Sequence, residues 1–533
     1  MEQFPIFFHL VQPQCRTSTS TTMATLTSLP PELKGCVLDY LSFADTNNLS
    51  KTCKSLRAVA YPALFRNIQV GTRFGGSVLS HVSQLLSLIR TLITNRGLAR
   101  RVKTVKFHNA FKSYDISEYR QDERTMMQHA IECSQEGRNL IENTSRPPHL
   151  PFIVSFEKLP LESSDNENMW SFEMPRVPIM LLLCQCYLLE HLTIPLGLLK
   201  HYIRVRIQPQ TPPFIGQAKD ELNMLDNLSS LIVRSNGSES KLIKRHELEE
   251  TFHLILSLPK LKFLELECMP ELTEAPEKRL SDSLPPNEQS IAKELKTLRI
   301  VYQGVPSSTL SIILRHAPYI QTLYYHIVKN YHSGDRLDLG SLRIELQLAR
   351  STLKHIFINY MQYGKKEKVV PYSVPEGDVS LFHDFTELVT LECTLEFLFG
   401  QTGMSIDRPC SLADFLPPHL EQLTIQASPW KSDELVRSTE LALTMVVFRE
   451  FFTGEKMSDN WTPDVKVQDI YWTKVSEGSW KSAVPNLKGF TFDCTGSRHF
   501  WRKPGSIPEG PLDHLQLMCE SQGIRCQILP LYH

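Results

Sequence analysis

The sequence predicts an α/β protein in two parts. A small three-helix unit near the start is followed by a long irregular solenoid, with parallel strands on its concave face and helices outside. Three observations lead there. Three short helical patterns crowd into Ser28–Ile68. Downstream, the hexamer apolar-x-x-apolar-x-apolar recurs ten times at a nearly regular step. Ahead of several copies, apolar residues fall at i, i+3 and i+4, the spacing of one helix face, and a proline then ends the pattern.

Taken in order, residues 1–25 are a Thr/Ser-rich N-terminal segment expected to be disordered. Phe4–Val11 is apolar, but Glu2 precedes it and neither Lys nor Arg does, which argues against a secretory signal. Met23 offers an alternative start. Residues 26–70 are the helical unit. Leu33, Val37 and Leu41 recur every fourth residue on one helix face, and Pro30 and Pro31 suit that helix's start, where a missing N–H costs nothing. A second pattern runs through Leu49 and Cys53, and a third through Leu56, Ala60 and Leu64–Phe65. A unit this small leaves apolar surface that needs a neighbour or partner to cover it.

Residues 71–186 join the helical unit to the array and carry the first hexamer, Val102/Val105/Phe107, a helical pattern over Arg124–Asn143 and a Pro-rich loop. Residues 187–533 hold the array. Its copies are Leu189/Leu192/Ile194, Leu228/Leu231/Val233, Leu261/Leu264/Leu266, Leu295/Leu298/Ile300, Ile320/Leu323/Tyr325, Leu353/Ile356/Ile358, Leu388/Leu391/Cys393, Leu420/Leu423/Ile425 and Leu487/Phe490/Phe492. From Leu189 to Leu420 the steps are 39, 33, 34, 25, 33, 35 and 32 residues. A doubly wound sheet would not keep that spacing; a solenoid does. Helices are expected over Leu248–Leu258, Thr309–His316 and Leu342–Arg350, with Pro259, Pro318, Pro418 and Pro485 marking helix-to-strand passages. An insertion over 428–484 contains a helix at Leu435–Phe452 and then Trp461, Trp472 and Trp480, read as packing the insertion onto the helix layer rather than as a binding rim. Leu512–Gln522 and Ile524–Ile528 read as a last helix and a capping strand.

Composition excludes several functions. Formal net charge is −1, and the one basic cluster, Lys365-Lys366 with Lys368, is interrupted by Glu367, so no field draws nucleic acid. The longest apolar stretch, Ile179–Leu189, is about half the length of a membrane span. Twelve dispersed cysteines, several of them in apolar patterns (Cys36, Cys133, Cys184, Cys268, Cys393), suggest buried reduced thiols and a cytoplasmic or nuclear protein. No phosphate-binding glycine loop and no GxSxG elbow occur. Cys184-Gln185-Cys186 with His191 lacks a second ligand pair at matching spacing, so core thiols are expected there and no metal. No catalytic residue and no cofactor is expected.

Leu29–Pro30, Glu32–Leu33, Val37, Leu41, Asp45, Leu49, Cys53–Lys54, Leu56 and the closing Ala63-Leu64-Phe65-Arg66 with Ile68 resemble an F-box. Thr46-Asn47-Asn48 after Asp45, and Thr52 before Cys53, depart from the family pattern in the second helix. The array resembles a degenerate leucine-rich-repeat horseshoe of the kind found in fungal F-box proteins. Met269 and Met361 stand where the usual repeat has Asn or Cys.

These resemblances imply a substrate adaptor of an SCF (cullin–RING) ubiquitin ligase. Its F-box would dock on the linker subunit, and through it a cullin, while the repeats bind an unknown protein substrate. The alternatives are a non-degradative interaction scaffold and, ranked last, an enzyme of unfamiliar type. Carried over by position, the linker contacts are Leu29, Pro30, Leu33, Val37, Leu41, Leu49, Cys53 and Leu56. Strand alternation places Phe263, Glu265, Arg299, Tyr324, His326, His355, Phe357 and Asn359 on the concave face as candidate substrate contacts, with Thr297 and Glu392 in the same rows.

Overall fold

The computed structural model describes residues 26–70, 78–107, 179, 182–183, 186, 188–196, 199, 225–234, 251–252, 255–267, 292–303, 307–330, 339–363, 382–395, 397–398, 411–426, 434–454, 479–493 and 509–529. The helical pattern over Arg124–Asn143, together with Cys133, Cys184, Cys268, Trp461 and Trp472, lies outside them. The chain forms two compact units, Met1–Arg66 and Asn67–His533.

In the first unit, a 3-10 turn at Leu26–Ser28 precedes α1 (Pro31–Asp39), α2 (Phe43–Thr52) and α3 (Lys54–Leu64). Pro31 opens α1 at its first position, where the absent N–H is no loss. Ser42 caps α2: its Oγ accepts from the Asp45 N–H at 3.1 Å and donates to Asp45 Oδ2 at 2.6 Å. This closed loop gives the motif's Asp its physical purpose. Cys53 separates α2 from α3 and caps the latter, its Sγ accepting from the Leu56 N–H at 3.5 Å. Helix α3 packs on both α1 and α2.

The second unit is built on a twelve-stranded sheet. Its strands are β1 (Asn67–Val70), β2 (Thr104–Phe107), β3 (His191–Pro195), β4 (Ser230–Arg234), β5 (Phe263–Glu267), β6 (Thr297–Gln303), β7 (Thr322–Asn330), β8 (His355–Tyr363), β9 (Thr390–Thr394), β10 (Gln422–Gln426), β11 (Gly489–Asp493) and β12 (Arg525–Leu529). They lie side by side in chain order, every neighbour parallel. All ten hexamers fall on β2–β11. Asn67–Val70, grouped with the helical unit in the sequence reading, is instead the first strand of the sheet.

The middle apolar residue of each hexamer shares one register row: Val105, Leu192, Leu231, Leu264, Leu298, Leu323, Ile356, Leu391, Leu423 and Phe490, extended by Ile68 on β1 and Cys526 on β12. All are buried. A single hydrogen-bond device repeats beside this row. From β2 to β10 the carbonyl of the residue just before a strand receives two N–H groups from the next one: Lys103 O from Glu190 and His191, Lys262 O from Lys296 and Thr297, Gln321 O from Lys354 and His355, Glu421 O from Lys488 and Gly489. The first apolar residue of the hexamer closes the turn, as in Leu228 N–H to Leu225 O and Leu487 N–H to Val484 O.

Helices cover the apolar side of the sheet. Among the described residues they include α4 (Val78–Thr94), α5 (Arg96–Ala99), α6 (Ser307–His316), α7 (Leu339–Gln347), α8 (Glu434–Thr453), α9 (Trp480–Ala483) and α10 (Glu509–Ser521). Helix α8, read as part of an insertion, belongs to the core. Phe448 meets Phe490 and Phe492 edge-on at 5.0 and 5.4 Å, and Phe452 meets Phe490 at 5.1 Å. Trp480 is buried; its indole N–H donates to Gln522 Oε1, and Gln522 Nε2 donates to the Phe452 carbonyl at 2.7 Å. Gly523 ends α10 with φ 78°, and Ile524 N–H reaches back to Cys519 O at 2.9 Å; this helix stop requires the left-handed conformation that glycine adopts freely. Cys186, Cys393, Cys519 and Cys526 are buried thiols outside any disulfide, whereas Cys36, expected inside, is exposed with Cys53.

Candidate functional site

Two surfaces hold the residues singled out in the sequence. The first is on the helical unit. On α1 the inward row is Lys34 and Leu38, both buried. The aliphatic row Leu33, Val37 and Leu41 lies on the uncovered side: Leu33 is 51% exposed, Val37 and Leu41 are half-buried. Pro30 and Cys53 are exposed, Leu29 and Leu49 half-buried. Tyr40, at 91% exposure, and Tyr61 add aromatic surface that the motif did not single out. Leu56 differs from the rest of its set. It is buried with Ala60 on the inner face of α3, where it holds the unit together. An Arg66 Nη1–Asp39 Oδ1 ion pair of 2.5 Å joins the end of α3 to the end of α1; both side chains are exposed, so it contributes little.

The second surface is the sheet face opposite the apolar row. Register arranges its candidates in three rows. Phe263, Thr297, Thr322, His355 and Thr390 form one; Glu265, Arg299, Tyr324, Phe357 and Glu392 the next; Glu267, Val301, His326 and Asn359 the third. Tyr324 and Phe357 stack with ring centroids 4.4 Å apart and planes 7° from parallel. Arg299 Nη1 lies 3.4 Å from Glu265 Oε2. Arg234, one strand before, pairs with Glu267: Nη2 donates to Oε1 at 3.2 Å, while Nε lies 2.6 Å from Oε2 without hydrogen-bond alignment. His355 Nδ1 meets Thr390 Oγ1 at 3.1 Å.

The electrostatics follow from burial. Glu265 is pushed up to about 7, first by loss of water and then by a hydrogen bond shared with Glu267; the Arg299 charge offsets only part of this. Burial, then the Arg299 charge, lowers His326, and burial, then Lys354, lowers His355, so both imidazoles are neutral at pH 7. Burial also raises Glu392, against a hydrogen bond from Gln426 Nε2 at 2.5 Å and with Asp493 adding repulsion. The Arg234–Glu267 clasp and the Gln426–Glu392 bond were not foreseen; both could have been found by laying the hexamers in register and reading the positions between.

No group of three or more His, Cys, Asp or Glu side chains among the described residues could hold a metal ion. No described helix is long and apolar enough to cross a membrane.

Residues 26–61 match the family model of the F-box domain. No curated protein matches the chain. The match spans α1, α2 and most of α3, and it includes every residue of the outward aliphatic row. An F-box suggests, in general, an SCF adaptor role in which the domain binds a linker subunit and thereby a cullin. The N-terminal helical unit of this chain is an F-box domain.

Proposed function

We propose that this chain is a substrate-recognition adaptor of an SCF ubiquitin ligase. The F-box docks on the linker subunit. The sheet, a leucine-rich-repeat-like solenoid with irregular periods, holds a protein substrate on the face that carries Tyr324 and Phe357. The chemistry belongs to the other subunits; this chain contributes effective concentration and orientation.

The observation that carries the reading is the inversion of α1. A helix in a unit this small would ordinarily turn its aliphatic row inward; here Lys34 goes in and Leu33 stays out. That arrangement suits a surface awaiting a partner. Docking is assigned to Leu29, Pro30, Leu33, Val37, Leu41, Leu49 and Cys53, with Leu56 supporting them from within.

The test is co-purification. The full chain should retain linker subunit and cullin, and Leu29→Ala with Pro30→Ala should lose both while the rest of the chain keeps its unfolding transition. Unchanged retention by the double variant refutes the docking assignment. Retention of linker without cullin would favour a non-degradative scaffold.

A further inference from the structure

The middle row of the sheet face is unevenly built. From β5 to β9 it reads Glu265, Arg299, Tyr324, Phe357, Glu392: carboxyl, guanidinium, ring, ring, carboxyl. Adjacent strands are about 4.8 Å apart, and the two rings are 4.4 Å apart and nearly parallel, so the stack runs from strand to strand. Each ring therefore spends one face on the other. The opposite face of Tyr324 turns toward Arg299, and that of Phe357 toward Glu392. On the Tyr324 side the row contains its own cation, Arg299, which in turn meets Glu265. On the Phe357 side the row has a carboxyl, and among the described residues it has no cation.

The surroundings of Glu392 extend this asymmetry. Its register neighbours are Phe357 and Thr424. The other positions on its side of β9, β10 and β11 are Thr390, Thr394, Gln422, Gln426, Gly489, Thr491 and Asp493. None is Lys, Arg or His, and His355 on β8 is engaged with Thr390. Among the described residues only the Gln426 amide is seen bonding to Glu392, at 2.5 Å. Phe357 is half-exposed, so the edge of the ring–carboxyl step is open to a group arriving from solvent.

We propose that the partner held on this face inserts an arginine or lysine side chain against Phe357 and Glu392, supplying the cation that the row lacks there. The charge complementarity selects a basic side chain over an acidic or phosphorylated one. The ring selects a flat guanidinium over a compact ammonium, because a guanidinium can lie on an aromatic face while bonding a carboxylate with two N–H groups. The inference rests on the adaptor reading only in taking the occupant to be a polypeptide.

The experiment uses the full chain co-expressed with linker subunit, at near-physiological salt. Immobilised nonapeptides with Ala/Gly/Ser flanks carry Arg, Lys, citrulline, Gln or Glu at the centre. Citrulline keeps the shape of arginine without its charge. Arg-centred peptides should be retained about tenfold better than citrulline-centred ones, with Lys between. Glu392→Gln should erase the preference, and Glu392→Lys should reverse it toward the Glu-centred peptide. Phe357→Leu, a milder change in the row, should weaken Arg more than Lys. Equal retention of the Arg and citrulline peptides, including none of either, overturns the proposal, as does a preference that survives Glu392→Gln in protein with an unchanged unfolding midpoint. Linker retention in the same preparations reports separately on the adaptor reading: its loss would sink that reading and leave the peptide preference measurable.

Discussion

Leu33 and Leu56 are both leucines of the F-box, and the structure sends them in opposite directions, which makes their truncation a sharp test. Leu33 is 51% exposed and Leu56 is 7% exposed. Full burial of a leucine side chain is worth about 1.5–3 kcal/mol, so covering the open half of Leu33 in a complex should yield roughly 0.8–1.5 kcal/mol. Leu33→Ala should therefore weaken linker binding about four- to twelvefold and leave the unfolding midpoint of the chain unmoved. Leu56→Ala opens a cavity inside the unit and should cost about 2–5 kcal/mol of its stability, so linker binding falls because the domain melts. Calorimetric titration of the full chain with the linker subunit measures the first effect. Thermal unfolding followed by circular dichroism measures the second. If Leu33→Ala lowers the midpoint as far as Leu56→Ala does, the aliphatic row is structural and the docking argument fails.

Three further outcomes follow from the second unit. Glu265 in the unfolded chain loses its proton near the ordinary 4.5, whereas in the folded chain it holds it to about 7; its contribution to stability is complete below the first value and declines as pH rises to the second. Glu265→Gln should remove that decline, making the variant more stable than the parent at pH 8 by on the order of 1 kcal/mol once solvent screening is discounted, with no gain at pH 4; denaturant titrations at the two pH values check it. Trp480→Phe strips the N–H that Gln522 accepts and should cost about 1–2 kcal/mol, read as a lower denaturant midpoint. Gly489→Ala places a Cβ against the Gln422 Oε1, yet that atom ends a flexible exposed side chain, so the unfolding midpoint should change little; a large loss would mean that Gln422 is held in place.

The strands of the array were legible because one hexamer encodes two things at once. Its second and third apolar residues become the buried row, and its first closes the turn that precedes the strand, so a correct hexamer also implies a correct register. That is why Tyr324 and Phe357 were foreseen as neighbours across a gap of 33 residues. Strand β1 escaped notice for the complementary reason. Asn67–Val70 is four residues long, follows α3 with only Phe65 and Arg66 between, and has no hexamer before it. The inward side of α1 was illegible from periodicity alone. Rows 33/37/41 and 34/38 are adjacent on the helix, and a burial rule would have chosen the first; only the resemblance to an F-box pointed it outward. Leu56 went the other way because the motif records which positions are apolar, whereas the side each faces is decided by packing against α1 and α2. Helix α8 reads as an insertion from sequence because the step from Leu420 to Leu487 is 67 residues, about twice the usual one, and spacing cannot reveal that Phe448 and Phe452 fold back onto β11.

The distribution of strand length bears on where a partner would sit. Two inward side chains per strand suffice to continue the buried row, and nine of the twelve strands have only four or five residues. The exceptions are consecutive: β6 has seven residues, β7 and β8 nine each. The β7–β8 ladder continues from Thr322 opposite His355 to Asn330 opposite Tyr363, well past the buried pair at Tyr325 and Ile358. Those further rungs lie beyond the buried register pair of Leu323 and Ile356. Their effect is to fix two backbones against each other directly beyond Tyr324 and Phe357, so that the stacked rings stand on a stiffened platform. Aromatic anchors held in one rotamer lose little conformational entropy when a partner closes on them, and such residues carry a disproportionate share of binding energy. The longest ladder therefore lies where a binding face would most need rigidity, next to the step between Phe357 and Glu392.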